Sequence, residues 1–472
     1  MIENIVWLRS DLRVRDNPAL SSAMAQGPTA CVFLLATQTW SQHHWSRHKS
    51  AFLLRVLASL ADQLAKLGVP LQVLEAPHFD DAAGHLLQFS LELGAKKLSY
   101  NREYPLDEKI RDEGVHHALE KNGIECQPHD SFLVFPPNSI LKDDGHPYSV
   151  FTPFKRKWLA KAEGENLRSL PCPKPQQAVF LDNKIPKEIL STEASFGQNL
   201  FPGNHEHADD LLETFLRRKV NRYHSERDFP ATDGTSKLSP YLALGVLSPR
   251  ECLEKIQTIR QANSISSNEG IETWVSELIW RDFYTHVLAQ NPRISRGKAF
   301  KGETDKMEWN INEEWFDRWA KGETGFPIVD AGMRQLNTTG WMHNRLRMIT
   351  SQFLTKHLFI DWRRGEKYFL SHLVDGEFAA NNGGWQWSAS TGTDAVPYFR
   401  MFNPLRQSER FDPDGSFIRE NIPELTNANP KFFANPNAQN DLFSSYPSPM
   451  IDLKEERERT LKRWKQFNQT LS

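Results

Sequence analysis

The sequence predicts an α/β plus all-α protein, with an N-terminal doubly wound parallel sheet domain, a long linker and a C-terminal helical domain. Three observations carry this. Apolar strand-like runs alternate with helical stretches up to about residue 130, a proline-rich passage follows, and beyond His205 the helical period dominates. The expected division is therefore 1–130, 131–203 and 204–472. A chain of 472 residues also exceeds the ~250 to 300 residues at which single cores stop growing.

The elements follow in order. Asn4 to Leu8 reads as a short apolar strand, and Asn17-Pro18 is a good N-cap and N1 pair for a helix. A second strand is expected over Ala30 to Ala36. Between Trp45 and Leu67, Phe52, Val56, Leu60 and Leu64 recur on one helical face, and Gly68 follows as a cap. A strand over Val69 to Leu74, a helix to Gly94, a strand over Lys97 to Tyr100, a helix to Gly123 and a strand near Ile124 complete the alternation. No GxGxxG turn follows the first strand, which disfavours a dinucleotide site there. Prolines 136, 137, 171, 173 and 175 mark the linker around a short helical piece, Phe154 to Ala162. The helical part reads as Ala208 to Tyr223, Pro249 to Gln261, Ile271 to Ala289 and Ala331 to Phe353, with a solvated terminal helix over Leu453 to Gln466.

Composition excludes several classes. Hydrophobic residues at 39% and charged residues at 25% are globular values. No apolar run has the ~18 residues of a membrane span, and the N-terminus lacks a secretory pattern, so a cytoplasmic protein is expected. The four cysteines have neither disulfide nor zinc spacing. A net charge of -2 gives no global attraction to nucleic acid, so a polyanion would need a local basic surface. The unusual feature is 14 tryptophans, nine of them from Trp274 to Trp387.

The most informative stretch runs from Trp341 to Pro404. Glycine pairs with Asn, Ser and Thr disfavour helix interiors, so NNGGWQW and STGTDA are expected to form a polar loop that interrupts the helices. Asn344, Arg345 and Arg347 on a neighbouring helix would supply donors to a ligand there. Trp274, Glu277 and Arg281 stand at i, i+3 and i+7 and share a face.

These motifs, with VWLRSDLRVRDNPAL, FTPFKRKW, GTSKLSPYLALGVLSPR, ELIWRDFY and TGFPIVDAGMRQLNTTGWMHNRLRM, span nearly the whole length. On them the chain resembles the class I cyclobutane pyrimidine dimer photolyases of the photolyase and cryptochrome family. The resemblance implies that the helical domain binds FAD. It implies a phosphate grip from Tyr223, Thr235, Ser236, Lys237, Leu238 and Ser239, further cofactor contacts from Trp274, Arg281, Asn344 and Glu377, and a salt bridge of Arg347 with Asp375 beside the isoalloxazine. Asn381 matches the residue that faces flavin N5, and Trp385, Trp362 and Trp309 match an electron-relay chain. For DNA, Trp280 and Trp387 match walls for an extruded dimer, while Glu277, Arg281, Asn344 and Met348 match contacts to it. Arg345, Arg400, Arg406 and Arg410 would meet phosphates. The implied activity is light-driven repair of cyclobutane pyrimidine dimers by electron transfer from excited reduced FAD, carried out by a monomer with no obligate protein partner.

Relatives that act on six-four photoproducts carry a two-histidine pattern where this chain has Trp341-Met342-His343-Asn344, so His343 is read as structural. His43 and Glu108 match folate-binding positions, although Asp107 and Arg296 depart from that pattern. 5,10-Methenyltetrahydrofolate is thus the expected antenna, with a deazaflavin or an empty cleft as alternatives. The competing functions are a cryptochrome-like blue-light photoreceptor and an NAD(P)H-dependent flavin enzyme, the latter disfavoured by the missing dinucleotide fingerprint.

Overall fold

The computed structural model describes residues 2–179, 181, 196–197, 200–262, 268–434 and 445–471; the rest of the expected linker and the remaining positions lie outside the described residues. Contacts divide the chain into two compact units. The first comprises Met1–Asn221, Ser236–Ser295 and Val374–Ala379, and the second Arg222–Thr235, Arg296–Leu373 and Ala380–Ser472.

The first unit is built on five parallel strands, β1 (Asn4–Leu8), β2 (Thr29–Leu35), β3 (Leu71–Glu75), β4 (Lys97–Asn101) and β5 (Glu125–His129), in the order β3-β2-β1-β4-β5. β1 and β2 are buried along their whole length, which explains why they are continuous apolar runs rather than alternating ones. Asn17 caps helix Pro18–Gln26 by accepting from the Leu20 amide at 3.1 Å, and Gly68 and Gly94 end their helices at φ of 72° and 68°. A helix over Thr37–Gln42, which the sequence did not announce, precedes Arg47–Lys66. The linker helix Phe151–Gly164 packs through Phe151, Phe154 and Trp158 on helix Glu269–Gln290.

Helices His205–Arg218, Ser239–Ala243 and Pro249–Ala262 belong to this unit as well. Gly245, at φ 65°, lets its turn lie against the end of β1; a Cβ there would stand 2.2 Å from the Ser10 carbonyl oxygen. Leu12 N–H donates to Leu244 O at 3.1 Å across the same approach.

The second unit is helical. Its core gathers Trp319, Phe326, Phe353, Trp362, Phe369 and Trp385 with other buried residues. Three expectations need correction. The stretch read as one helix from Ala331 to Phe353 is two, Pro327–Thr339 and Asn344–Gln352, because Gly340 at φ 70° ends the first and His343 caps the second. NNGGWQW is no loop: it lies inside helix Phe378–Ala389, and only STGTDA is irregular, with Ser390 and Asp394 at positive φ. Tertiary bonding outweighs the ~1 kcal/mol that each glycine costs a helix, since Trp385 is sealed in the core and Asn382 and Gln386 are buried in a polar chain. The terminal helix, Leu453–Leu471, is docked along one side, with Trp464 packed on Met307 and Phe359. Among the described residues no helix is long and apolar enough to cross a membrane.

Candidate functional site

In the first unit a cavity opens at the carboxyl ends of the strands, the side where open α/β sheets bind ligands. Trp7, Trp40, Trp45 and Phe79 give it flat apolar walls, and Glu103, Glu108 and Arg111 give it charge. Arg111 pairs with Glu103 at 2.8 Å and Asp112 at 2.7 Å. Burial works to raise the Glu103 pKa, but Arg111 and Arg9 beside it hold it down to about 2. Glu108 goes the other way: burial, and then the charge of Glu103, push it up to about 7. His43 Nε2 is 3.2 Å from Asp107, and His43 Nδ1 is 4.0 Å from Glu108, with burial pulling the imidazole below its usual range. The fold thus brings His43 and Glu108 together, and Glu108 lines the cavity.

The same unit holds Ser236, Lys237, Leu238 and Ser239 in a turn that enters helix Ser239–Ala243, with Lys237 at φ 53° and Leu238 buried. On helix Glu269–Gln290, Trp274 is buried against Phe215 at 5.0 Å, and Glu277 is part-exposed. Arg281 donates to the carbonyls of Phe132 at 2.5 Å and Leu242 at 3.3 Å and lies 3.8 Å over the Phe132 ring, so it braces this helix against two backbone turns. Trp280 stacks face to face on Phe151 at 3.6 Å. Asp375 is buried, and Glu377 accepts from the Ala379 amide at 3.0 Å.

In the second unit Tyr223 is buried beneath the Arg227 guanidinium, 5.3 Å from its ring. Asn344 is exposed at the first position of its helix. His343 Nδ1 accepts from the Arg345 amide at 3.2 Å, and burial pulls the ring down to about 4, so it is a neutral cap. Arg345 pairs with Asp228 at 2.6 Å, Arg347 Nε donates to Met342 O at 2.9 Å, and Met348 is part-buried. Asn381 Nδ2 donates to the Glu366 carbonyl at 3.1 Å, which leaves its own carbonyl oxygen as the amide's acceptor. Asn382 Nδ2 donates to the Glu366 carboxyl at 2.7 Å, and burial pushes that carboxyl up to about 7. Glu366 carried no signal in the sequence beyond its place in DWRRGEKYFL.

Trp385 and Trp362 lie in one buried core, and Trp309 packs against it from a half-buried position on Phe359 at 4.9 Å. Trp385 meets Phe369 at 4.9 Å and Trp319 at 6.0 Å; Trp319 was not singled out in the sequence. The carbonyl of half-buried Trp387 accepts from Ser390 and Val396, which ties the following loop to it. Arg400, Arg406 and Arg410 are exposed.

The chain thus joins a parallel-sheet unit with an aromatic cavity to a helical unit rich in buried tryptophan and amide groups. Comparison with known proteins gives the class. Residues 4–176 match the family model for DNA photolyase, and residues 274–466 match that for the FAD binding domain of DNA photolyase. The "Deoxyribodipyrimidine photo-lyase" of Vibrio cholerae is 42% identical over 98% of this chain and 99% of its own. A bacterial class III photolyase from Agrobacterium tumefaciens superposes with a TM-score of 0.89 at 33% identity, covering 99% of this chain and 98% of that one. An archaeal photolyase from Sulfolobus tokodaii, solved with two FAD molecules, gives 0.85 at 31% identity over 98% of this chain and 100% of that one. The chain belongs to the DNA photolyase family.

Proposed function

We propose that the chain is a deoxyribodipyrimidine photo-lyase that uses light and reduced FAD to split cyclobutane pyrimidine dimers in DNA. The observation that carries this is the near full-length similarity to relatives of that name, together with the buried tryptophan core and the Asn381–Glu366 hydrogen bond of this chain. The donor set fits the cofactor. Tyr223, Thr235, Ser236 and Ser239 offer hydroxyls and Lys237 a cation for a diphosphate, with Leu238 packing the turn and Trp274, Arg281 and Asn344 completing the cofactor contacts. Arg347 brings a cation that favours an anionic ring, with Asp375 as its partner and Glu377 as a further cofactor contact.

Bound and reduced, the flavin supplies on illumination the electron that splits the dimer and then receives it back. The chain's own groups do the rest. Asn381 presents its carbonyl oxygen to an N–H donor without adding charge, because its amide nitrogen is engaged by Glu366. Trp385, Trp362 and Trp309 relay an electron inward when the cofactor is oxidised. The lesion is turned out of the duplex, since a base inside the stack is beyond reach of a buried group. Trp280 and Trp387 offer stacking faces worth ~1 to 3 kcal/mol per base, while Glu277 and Met348 meet the pyrimidine edges. Arg345, Arg400, Arg406 and Arg410 bind phosphates.

For the antenna we infer 5,10-methenyltetrahydrofolate held by His43 and Glu108, supported by the 4.0 Å approach of His43 to Glu108, which lines the cavity. The domain division at 130 and 203, a monomeric state and a cytoplasmic location complete the reading. The test is loss of dimers from ultraviolet-treated DNA under blue light with a dark control, and the spectrum of the extracted chromophores. Equal loss in light and dark refutes the function, and an extract without a folate band refutes the antenna.

A further inference from the structure

Lys49 is a buried lysine whose charge nothing in its own helix explains. It stands in the first turn of Arg47–Lys66, where its backbone amide donates to the Ser46 side chain at 2.9 Å. Its side chain turns inward, leaves the residue 7% exposed and places Nζ 3.7 Å over the Trp45 ring. Nζ then donates to the Gly376 carbonyl at 2.7 Å. A methionine would fill the same channel, so the ammonium needs a counter-charge to persist there.

Carboxylates supply it from two directions. Glu377 and Asp375 lie on Val374–Ala379, the short segment that belongs to the same compact unit, and Glu103 and Glu108 lie at the cavity that Trp45 also lines. Burial draws the Lys49 amine down to about 8, and these acids, Glu377 foremost, keep it from falling further. The surrounding carboxylates thus favour the ammonium against the cost of burial.

We propose that Lys49 is a positioning residue for the flavin: it fixes the backbone of residues 374–379 and balances the charge that Glu377 and Asp375 bring to the cofactor. This rests on the reading of those two acids as flavin-side residues. An uncompensated carboxylate beside an anionic ring disfavours the reduced form, and a nearby ammonium offsets it. A helix of the sheet-bearing unit thereby sets the redox poise of a group whose obvious ligands lie elsewhere in the chain.

The experiment is an equilibrium redox titration of bound flavin, followed by absorbance, in the full-length protein and in Lys49→Met, Glu377→Gln and the double variant. Lys49→Met is expected to shift the flavin toward the oxidised form by roughly tenfold, about 30 mV for a two-electron couple. Glu377→Gln shifts it the opposite way, and the double variant returns near the wild-type value because the two charges removed are opposite in sign. If Lys49→Met does not accumulate, Lys49→Gln, which keeps a donor for Gly376 and loses the charge, carries the same expectation. Unchanged potentials in both single variants, or shifts of the same sign, overturn the proposal while leaving the photo-lyase reading intact. Wild-type protein purified without flavin would end that reading and this one with it.

Discussion

Around the strand ends, Trp7, Trp40 and Trp45 line a cavity, and cations rest on two of them: Arg9 and Arg111 over Trp7 at 4.2 and 4.7 Å, and Lys49 over Trp45 at 3.7 Å. In the helical unit, Trp319 and Trp385 meet each other and Phe369 inside an apolar core. Arg363 lies over Trp362 there, paired by Asp305 and Asp361, just as Arg111 over Trp7 is paired by Glu103 and Asp112. The same side chain thus occupies two settings that differ in access. The sheet-side indoles face open space and suit the walls of a ligand site. Trp362 and Trp385, sealed in a packed core, suit an electron relay.

That contrast can be broken in four ways, taken from the largest effect down. Trp385→Phe should abolish light-driven reduction of oxidised flavin yet spare repair by enzyme reduced beforehand, whereas Trp40→Phe should leave photoreduction intact; flavin bleaching under blue light distinguishes them. Next comes packing. A Cβ on Gly365 would meet the Trp385 ring at 2.1 Å, so Gly365→Ala should cost about 3 kcal/mol in urea unfolding. Gly84, with open space around it in helix Ala82–Leu93, should instead gain ~0.5 to 1 kcal/mol as Ala.

The third test uses two carboxyls shifted in opposite directions. Glu366 has its folded pKa raised to about 7, so the native state holds a proton that the unfolded chain loses, and its contribution falls as pH rises from the ordinary carboxylate range toward 7. Glu366→Gln should therefore stabilise the protein at pH 8 by on the order of 2 to 3 kcal/mol and flatten that slope. Glu103, held down to about 2, contributes stability above the ordinary carboxylate pKa that is lost as pH falls toward 2, and Glu103→Gln should remove the acid-side loss. Both follow from denaturation midpoints against pH. Smallest is the surface effect. Arg400→Ala should weaken dimer binding several-fold and reduce the salt slope by about 1, while Arg102→Ala, on a sheet-side residue paired with Asp130, should change neither.

Much of the sheet was legible because strands buried on both faces are apolar runs, and β1 and β4 stand within a residue of where the sequence put them. The helix that contains Gly383 and Gly384 was not. Its stability comes from Trp385 in the core and from Asn382 on Glu366, partners 16 residues apart that no local window weighs. The candidate site residues were named through long motifs, not through periodicity. Glu366 and Lys49 escaped because each gains its meaning from a distant partner: Lys49 and Gly376 are separated by 327 positions.

The docked helix Leu453–Leu471 has a practical side. Trp464 lies nearly parallel to Tyr398 at 5.4 Å, two positions before Arg400, and Arg463 clasps Asn310 at 2.6 Å. For anyone attaching a dye or a surface linker, that ring stack turns the helix into a lever. A label on outward-facing Lys462 leaves the rings seated, whereas a graft that displaces Trp464 would drag on the stretch of chain that carries Arg400, proposed above to meet DNA.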